Sequence, residues 1–293
     1  MSLMTRPAGE ATAAQADLYL EHEGIRLRYR DEGHGPAVLL VHGWTLDLEM
    51  WEPQVAALRS EYRLIRWDRR GFGLSAGAAD LDDDVADAAA LCRHLRVSPI
   101  ACVGMSQGAR VALQLARREP ELVSVLILDG PADESLGCSQ PVSDVPLVEF
   151  RSIMRLRGVE AFRHEWRGHP LATLRTQDEG ARSLLDRMIA RYGGADLADP
   201  PSEPRNGPNG GPRGTVRQPL LVINGEFDLE SRRESGRALA RSLGGQQILI
   251  RSAGHLSNLD SPRIYSEVLR GFLRPRLPAG GWRPYTISRE RCQ

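Results

Sequence analysis

The sequence predicts an α/β fold: a mostly parallel, eight-stranded sheet with helices on both faces and a helical insertion between two of its later strands. Two observations carry that expectation. Short apolar runs recur, AVLLVHG (37–43), YRLIRWD (62–68), IACVGMS (100–106), VSVLILDG (123–130), PLLVING (219–225) and QQILIRSAGH (246–255). Most are nearly continuous rather than alternating, the signature of strands buried on both faces of a parallel sheet. Between them lie DLEMWEPQVAALRSE, DDDVADAAALCRHL, GARVALQLARRE, SRRESGRALARSL and SPRIYSEVLRGFL, in which apolar residues recur at helical spacing. Strand and helix in alternation with short connections place helices on both sides of the sheet.

Ahead of the first parallel strand, DLYLEHEG and IRLRYRDEG read as a hairpin around Glu23-Gly24 that adds antiparallel strands at one edge. The alternation breaks from about residue 132 to about 215. That stretch reads as helices, VPLVEFRSIMRLR, VEAFRHEWR and ARSLLDRMIARYG, and ends in PPSEPRNGPNGGPRG, a connector rich in proline and glycine. An insertion there covers the C-terminal ends of the strands, where ligands bind in open α/β sheets. The expected organisation is a flexible leader (1–16), a core (17–132 and 215–273), a helical cap (133–214) and a basic, proline-containing tail (274–293).

Composition narrows the partners. The 293 residues are 41% apolar, enough for a sizeable core, and 38 basic residues balance 38 acidic ones. With no net field to recruit nucleic acid or an anionic membrane, small molecules or proteins are the expected partners. Cys92, Cys102, Cys138 and Cys292 lie far apart with no C-x-x-C pair, so neither a zinc site nor a redox motif is expected, and reduced thiols fit a cytoplasmic protein. The leader lacks the apolar stretch of a signal peptide, and no segment approaches the ~18 apolar residues of a membrane span.

The chemistry concentrates at strand ends. Gly104-Met105-Ser106-Gln107-Gly108 fits G-x-S-x-G between an apolar strand and a helix. A sharp turn there lifts the serine hydroxyl out of the sheet, and small residues two before and two after relieve crowding. A serine hydroxyl needs a base within hydrogen-bond reach. Of seven histidines, His255 follows the last strand, in SAGHLSNLDSP; His42 suits backbone shaping, His22 and His34 lie on the hairpin, His94 on a helix, and His164 and His169 in the insertion. The base needs a carboxylate to fix its tautomer. Asp228 closes LLVINGEFD at the same edge, with Asp129 the chief rival and Glu226 a second. An acyl-transfer site also needs two donors for an oxyanion. The backbone N–H groups of Gln107 and of Trp44, in the loop after the first parallel strand, fill that role. Trp44, Met105, Phe150, Met154, Phe162 and Trp166 are candidate pocket residues, with Met188 and Tyr192 behind them, and packing between cap helices competes as the account of most of them. The cap arginines 151, 155, 157, 163, 167, 175, 182, 187 and 191 read as a solvated helix face rather than a carboxylate clamp.

Five motifs then occur in order: HGW at 42–44, DRRGFGLS at 68–75, GMSQG at 104–108, NGEFD at 224–228 and GHLSNLDSP at 254–262. Together they make the chain resemble the α/β-hydrolase fold family from about residue 17 to 273, in its serine esterase and enol-lactonase branch. The resemblance implies a Ser106-Asp228-His255 triad, a cap inserted after the sixth strand, DRRGFGLS as a structural turn, and no metal or organic cofactor. Serine at the elbow disfavours haloalkane dehalogenases and epoxide hydrolases, which carry aspartate there. HGWTLD also lacks the proline of the H-G-x-P oxyanion loop, which weakens a perhydrolase reading. The expected reaction is cleavage of a carboxylic ester or lactone through an acyl-enzyme. The alternatives are a thioesterase, acyltransferase or cyclase on the same triad, or a hydrolase-fold protein that binds a ligand without turning it over.

Overall fold

Eight strands form one sheet in the order β1-β2-β4-β3-β5-β6-β7-β8. The computed structural model describes residues 16–132, 144–198 and 215–277. Residues 1–15 of the expected leader, 133–143 and 199–214 of the expected cap, the latter holding the whole connector PPSEPRNGPNGGPRG, and the tail from 278 lie outside the described residues.

The hairpin forms where the sequence placed it. β1 (Leu18–His22) and β2 (Ile25–Gly33) pair antiparallel, and the turn residues Glu23 and Gly24 both take positive φ, 49° and 75°, as a two-residue hairpin requires. β2 pairs antiparallel with β4 (Arg63–Trp67). From β4 the sheet is parallel through β3 (Ala37–Val41), β5 (Ile100–Met105), β6 (Val123–Asp129), β7 (Leu220–Gly225) and β8 (Gln246–Ile250).

The apolar runs of β3 to β7 are continuous because those strands feed two cores, whereas β8 feeds one and leaves Leu249 exposed. In β3, Val38 and Leu40 face one side while Leu39 and Val41 face the other. The first core packs against α1 (Glu52–Leu58), α9 (Pro262–Leu273) and the cap; the second packs against α2 (Leu81–His94), α3 (Gln107–Arg118) and α7 (Glu230–Ser242). A 3₁₀ turn, Leu48–Trp51, leads into α1.

The order in which strands are added reverses at β3, which has β4 on one side and β5 on the other. In open α/β sheets the ligand crevice lies outside the carboxyl ends of the strands at such a point. The loop after β3 carries His42-Gly43-Trp44, and the turn after β5 carries Ser106.

The described part of the insertion is helical: α4 (Leu147–Arg167), a 3₁₀ turn (Pro170–Ala172), α5 (Glu179–Arg191) and the short α6 (Ala195–Ala198). α4 is broken at Gly158, whose φ of 82° separates the two helical segments read from the sequence. Of the nine arginines expected on a solvated face, Arg155, Arg157, Arg167, Arg175, Arg182 and Arg187 are exposed, and Arg151, Arg163 and Arg191 are half-buried. Arg191 reaches from α5 to Asp47 (2.9 Å) and Glu49 (3.1 Å) in the core. Arg163 holds the Tyr192 carbonyl at 2.8 Å, and Arg167 pairs with Asp186 at 3.1 Å. These side chains tie the cap together and to the core, since the loop after β3 presents carboxylates opposite α5. α8 (Ser257–Asp260) follows β8.

The β5-to-α3 turn is the tightest approach in the sheet. A Cβ on Gly104 would run into the Gly108 carbonyl, and one on Gly108 into the carbonyls of Val41 and His42. Gly108→Ala is therefore expected to destabilise by about 1–3 kcal/mol or more, at roughly 2–4 °C of thermal midpoint per kcal/mol. Gly193→Ala, whose Cβ meets nothing within 4 Å, is the control and should stay within about 0.5 kcal/mol. Thermal denaturation followed by circular dichroism checks both.

Candidate active site

Ser106 takes φ 54° and ψ −114° between β5 and α3. L-residues avoid positive φ, at a cost of roughly 1–3 kcal/mol, and such strain clusters at functional sites. The Ser106 N–H donates to the Asp129 carbonyl at 2.7 Å, and the Ala109 N–H returns to the Ser106 carbonyl at 3.0 Å. Gln107 opens α3, so its N–H has no intrahelical acceptor and sits at the positive end of the helix dipole.

His255 and Asp228 meet at the same edge. His255 Nδ1 lies 2.9 Å from Asp228 Oδ1, and both residues are buried. Asp228 also accepts from the Leu229 N–H (2.9 Å) and from Asn224 Nδ2 (3.2 Å). Burial pushes its carboxyl up, but the charge and ring N–H of His255, the Asn224 amide and the Leu229 N–H outweigh burial and hold it below its ordinary value. An ionised carboxylate only accepts, so Nδ1 carries the proton and Nε2 is left as the basic nitrogen. The ring rests on Gly130: a Cβ there would stand 2.7 Å from His255 Cε1 and 2.9 Å from Nδ1. Gly130 follows Asp129, whose carbonyl holds Ser106, so the serine turn and the imidazole flank the same two residues.

The rivals for the acid have other partners. Asp129 accepts from Ser257 Oγ at 3.1 and 3.2 Å. Burial and the nearby Asp228 charge push its carboxyl far up, against the Ser257 and Tyr265 hydroxyls. Glu226 accepts from the Ser252 N–H at 2.9 Å on the surface. Of the three candidates, Asp228 is the one hydrogen-bonded to His255.

The loop after β3 is fixed from below. His42 Nδ1 donates to the Gly43 carbonyl (2.8 Å), and its Nε2 accepts from the Arg69 N–H (2.9 Å), the backbone-shaping role expected of it. Burial and the Arg69 charge push the imidazole far below its usual value, against the pull of that carbonyl. Above the loop, Trp44 is packed under the cap. Its ring lies 4.8 Å from Trp166 and 5.7 Å from Phe162, centroid to centroid, and its Nε1 donates to Asp196 Oδ2 at 2.7 Å. Of the candidate pocket residues, Trp44, Phe150, Phe162 and Trp166 are buried against one another. Met105 is buried against Gly43, and Met154 is half-buried beside Gly194.

Several residues outside the expected set order this edge. Asp260 accepts from the Gly254 N–H (2.7 Å), just before His255, and from the Arg175 and Thr176 N–H groups (2.6 and 2.9 Å) of the cap. Asp68 accepts from Leu48 N–H (2.8 Å), Leu74 N–H (2.8 Å) and Arg28 (3.1 Å). Arg69 and Arg70 are buried on Asp84 and Asp87. The motifs GHLSNLDSP and DRRGFGLS contained these residues, but their roles depend on partners far away in sequence. Among the described residues, no cluster of three or more His, Cys, Asp or Glu could hold a metal ion, and no helix is long and apolar enough to cross a membrane.

A serine on a tight strand-to-helix turn at a switch point thus shares a sheet edge with a His–Asp pair, and comparison with known proteins gives the family of the chain. The chain belongs to the alpha/beta hydrolase fold family, whose model matches residues 36–262. A thermophilic esterase from Thermogutta terrifontis superposes with a TM-score of 0.72 at 28% identity, over 89% of this chain and 99% of that one. The 3-oxoadipate enol-lactonase 1 of Acinetobacter baylyi is 24% identical over 82% of this chain and 90% of its own. A non-heme haloperoxidase of Rhodococcus erythropolis is 37% identical over 113 residues, 37% of this chain; the match spans 41% of that protein's length.

The depressed His42 sets a pH dependence. Above its ordinary value of 6.5 the imidazole is neutral in both folded and unfolded chains. As pH falls below 6.5 the unfolded chain takes up a proton that the folded one refuses, so stability falls, by about 2 kcal/mol on reaching roughly pH 5. Asp68 and Asp84, both pushed up to about 6 by burial, act in the opposite sense and are common to wild type and variant. Urea unfolding across this range should therefore show a shallower loss of stability with acid in His42→Gln than in wild type.

Proposed function

We propose that this chain is a serine hydrolase that cleaves a carboxylic ester or lactone of a small molecule through an acyl-enzyme. The observation that carries the reading is the His255–Asp228 pair resting on Gly130, next to the carbonyl that holds the Ser106 turn. Membership of the hydrolase family and the likeness to an esterase support an ester bond as the target.

In this scheme Ser106 Oγ attacks the carbonyl carbon while His255 Nε2 takes its proton. Asp228 holds the ring in the tautomer that leaves Nε2 free and stabilises the imidazolium that forms. The oxyanion is received by the backbone N–H groups of Trp44 and Gln107, in a site whose dipoles are set before the substrate arrives. The tetrahedral intermediate collapses as His255 protonates the leaving oxygen, leaving the acyl group on Ser106. Water, deprotonated by the same nitrogen, then attacks the acyl-enzyme, and a second collapse returns the serine and releases the acid.

Labelling with a fluorophosphonate tests the nucleophile. One adduct mass on Ser106, absent from Ser106→Ala, is expected; a folded wild type that stays unlabelled overturns the scheme. The acid is tested separately. Asp228→Asn should lower kcat for a p-nitrophenyl ester by about 10²–10⁴. Asp129→Asn resembles the protonated carboxyl already favoured by burial and should keep kcat within about threefold. The opposite ranking would transfer the role to Asp129.

A further inference from the structure

We infer that Arg69 is a positioning residue for the oxyanion site, one buried guanidinium that fixes the two peptide segments supplying its donors. This deepens the serine-hydrolase reading, on which it rests, by adding a residue that touches no substrate.

The geometry converges on a single nitrogen. Arg69 Nη2 donates to the Gly43 carbonyl at 3.3 Å and to Gln107 Oε1 at 2.8 Å. The Gly43 carbonyl and the Trp44 N–H belong to one planar trans peptide and point in opposite directions. Holding that carbonyl toward Arg69 and His42 therefore turns the Trp44 N–H the other way. Gln107 is the first residue of α3, so gripping its side-chain amide steadies the residue whose own N–H is the second donor. One cation thus ties the loop after β3 to the start of α3, the two elements that must stay in register for an oxyanion to meet both donors.

The guanidinium cannot swivel. Its Nη1 donates to Asp84 Oδ2 at 2.8 Å, the neighbouring Arg70 N–H meets Asp84 Oδ1 at 3.3 Å, and the Arg69 N–H is on His42 Nε2. The Phe72 ring lies 4.5 Å from the guanidinium carbon, and the side chains of both Arg69 and Asp84 are 1% exposed. A buried pair of this kind often adds little stability over an apolar pair of the same volume. What it adds here is direction: the planar fork sends one N–H to Asp84 and another to the Gly43 carbonyl and the Gln107 side chain. A lysine, with a compact ammonium, keeps the charge without reproducing that fork. The charge also polarises the Gly43 carbonyl, and through the same peptide makes the Trp44 N–H a stronger donor.

Three variants test this: Arg69→Lys; the paired replacement Arg69→Leu with Asp84→Leu, which leaves no unpaired buried charge; and Gln107→Met, at a half-buried position. Each is assayed for kcat and KM on p-nitrophenyl acetate, for inhibition by a trifluoromethyl ketone that forms a hemiketal oxyanion with an active serine, and for thermal midpoint. Expected for both Arg69 variants is a fall in kcat of about 10–100-fold with KM within about threefold, and a loss of ketone affinity matching the loss in kcat/KM. Gln107→Met should lose about 3–10-fold in kcat, also at constant KM. A folded Arg69 variant that keeps wild-type kcat and ketone affinity overturns the assignment, as does one in which KM alone rises. If neither Arg69 variant folds, an unchanged kcat in Gln107→Met overturns it instead. The wild type separates the two levels: if it neither takes up a fluorophosphonate nor binds the ketone, the serine-hydrolase reading falls, and if it does both while the variants behave as wild type, only the role of Arg69 falls.

Discussion

The turn at Ser106 constrains everything around it. A chain leaving β5 and entering α3 with φ 54° can do so only if nothing projects from the residues two before and two after, and both are glycine. The absence of those side chains lets α3 begin against the carbonyls of Val41 and His42. β3 and α3 are therefore close neighbours at the switch point, and the loop carrying Trp44 lies beside the helix start carrying Gln107. The strain, roughly 1–3 kcal/mol, is small beside the packing of five parallel strands that feed cores on both faces.

Zero net charge conceals how much charge is buried. Arg28, Arg66, Arg69 and Arg70 lie on or just after β2 and β4, with Glu32, Asp68, Asp84 and Asp87 as partners. Charges withdrawn from water gain little net stability from pairing, because desolvation offsets most of the attraction. Their effect is on loop shape: Asp68 alone accepts two backbone N–H groups, Leu48 and Leu74, from segments on either side of β4. The segment read from sequence as a structural turn is thus an ionic framework under the loop after β3, and the arginines within it act on backbone rather than on solvent.

How far the sequence could be read follows the range of the forces involved. The strands were legible because burial on both faces leaves an unbroken apolar run, and the hairpin because Glu23-Gly24 is local turn chemistry. The positions of Ser106, His255 and Asp228 beyond strand ends were legible from such runs, and the His255–Asp228 hydrogen bond joins two of them. The reason Asp228 and Asp129 differ was not legible, because each lies at or just past the end of a parallel strand; the difference is in their partners, His255 on Asp228 and, from 128 positions away, Ser257 on Asp129. The insertion was legible as helices with mostly exposed arginines, whereas the half-buried Arg191 was not: it meets Asp47 across 144 positions, and helical spacing says nothing about which surface a face will meet. The aromatic candidates likewise carried no mark separating packing from pocket lining until Trp44, Phe162 and Trp166 were seen against one another.

Trp44 joins these two levels of organisation. Its main chain belongs to the loop pinned by His42 below, while its indole is held above by Asp196, which also accepts from the Tyr192 hydroxyl at 2.5 Å. Trp166 adds a second tie one residue on, donating to Thr45 Oγ1 at 2.7 Å, and Thr45 itself has a positive φ of 62°. A residue gripped at both ends transmits displacement: if the cap shifts, the indole moves with Asp196, and the Gly43–Trp44 peptide must rotate or the cap must be held back. On the proposed mechanism that peptide is an oxyanion donor, and donors lose most of their effect when tilted from the line to the acceptor. The cap's packing on Trp44 and the Arg191 pair with Asp47 and Glu49 hold the loop from above as firmly as the buried charges hold it from below, so the geometry that reaction requires is set by the insertion and the core together.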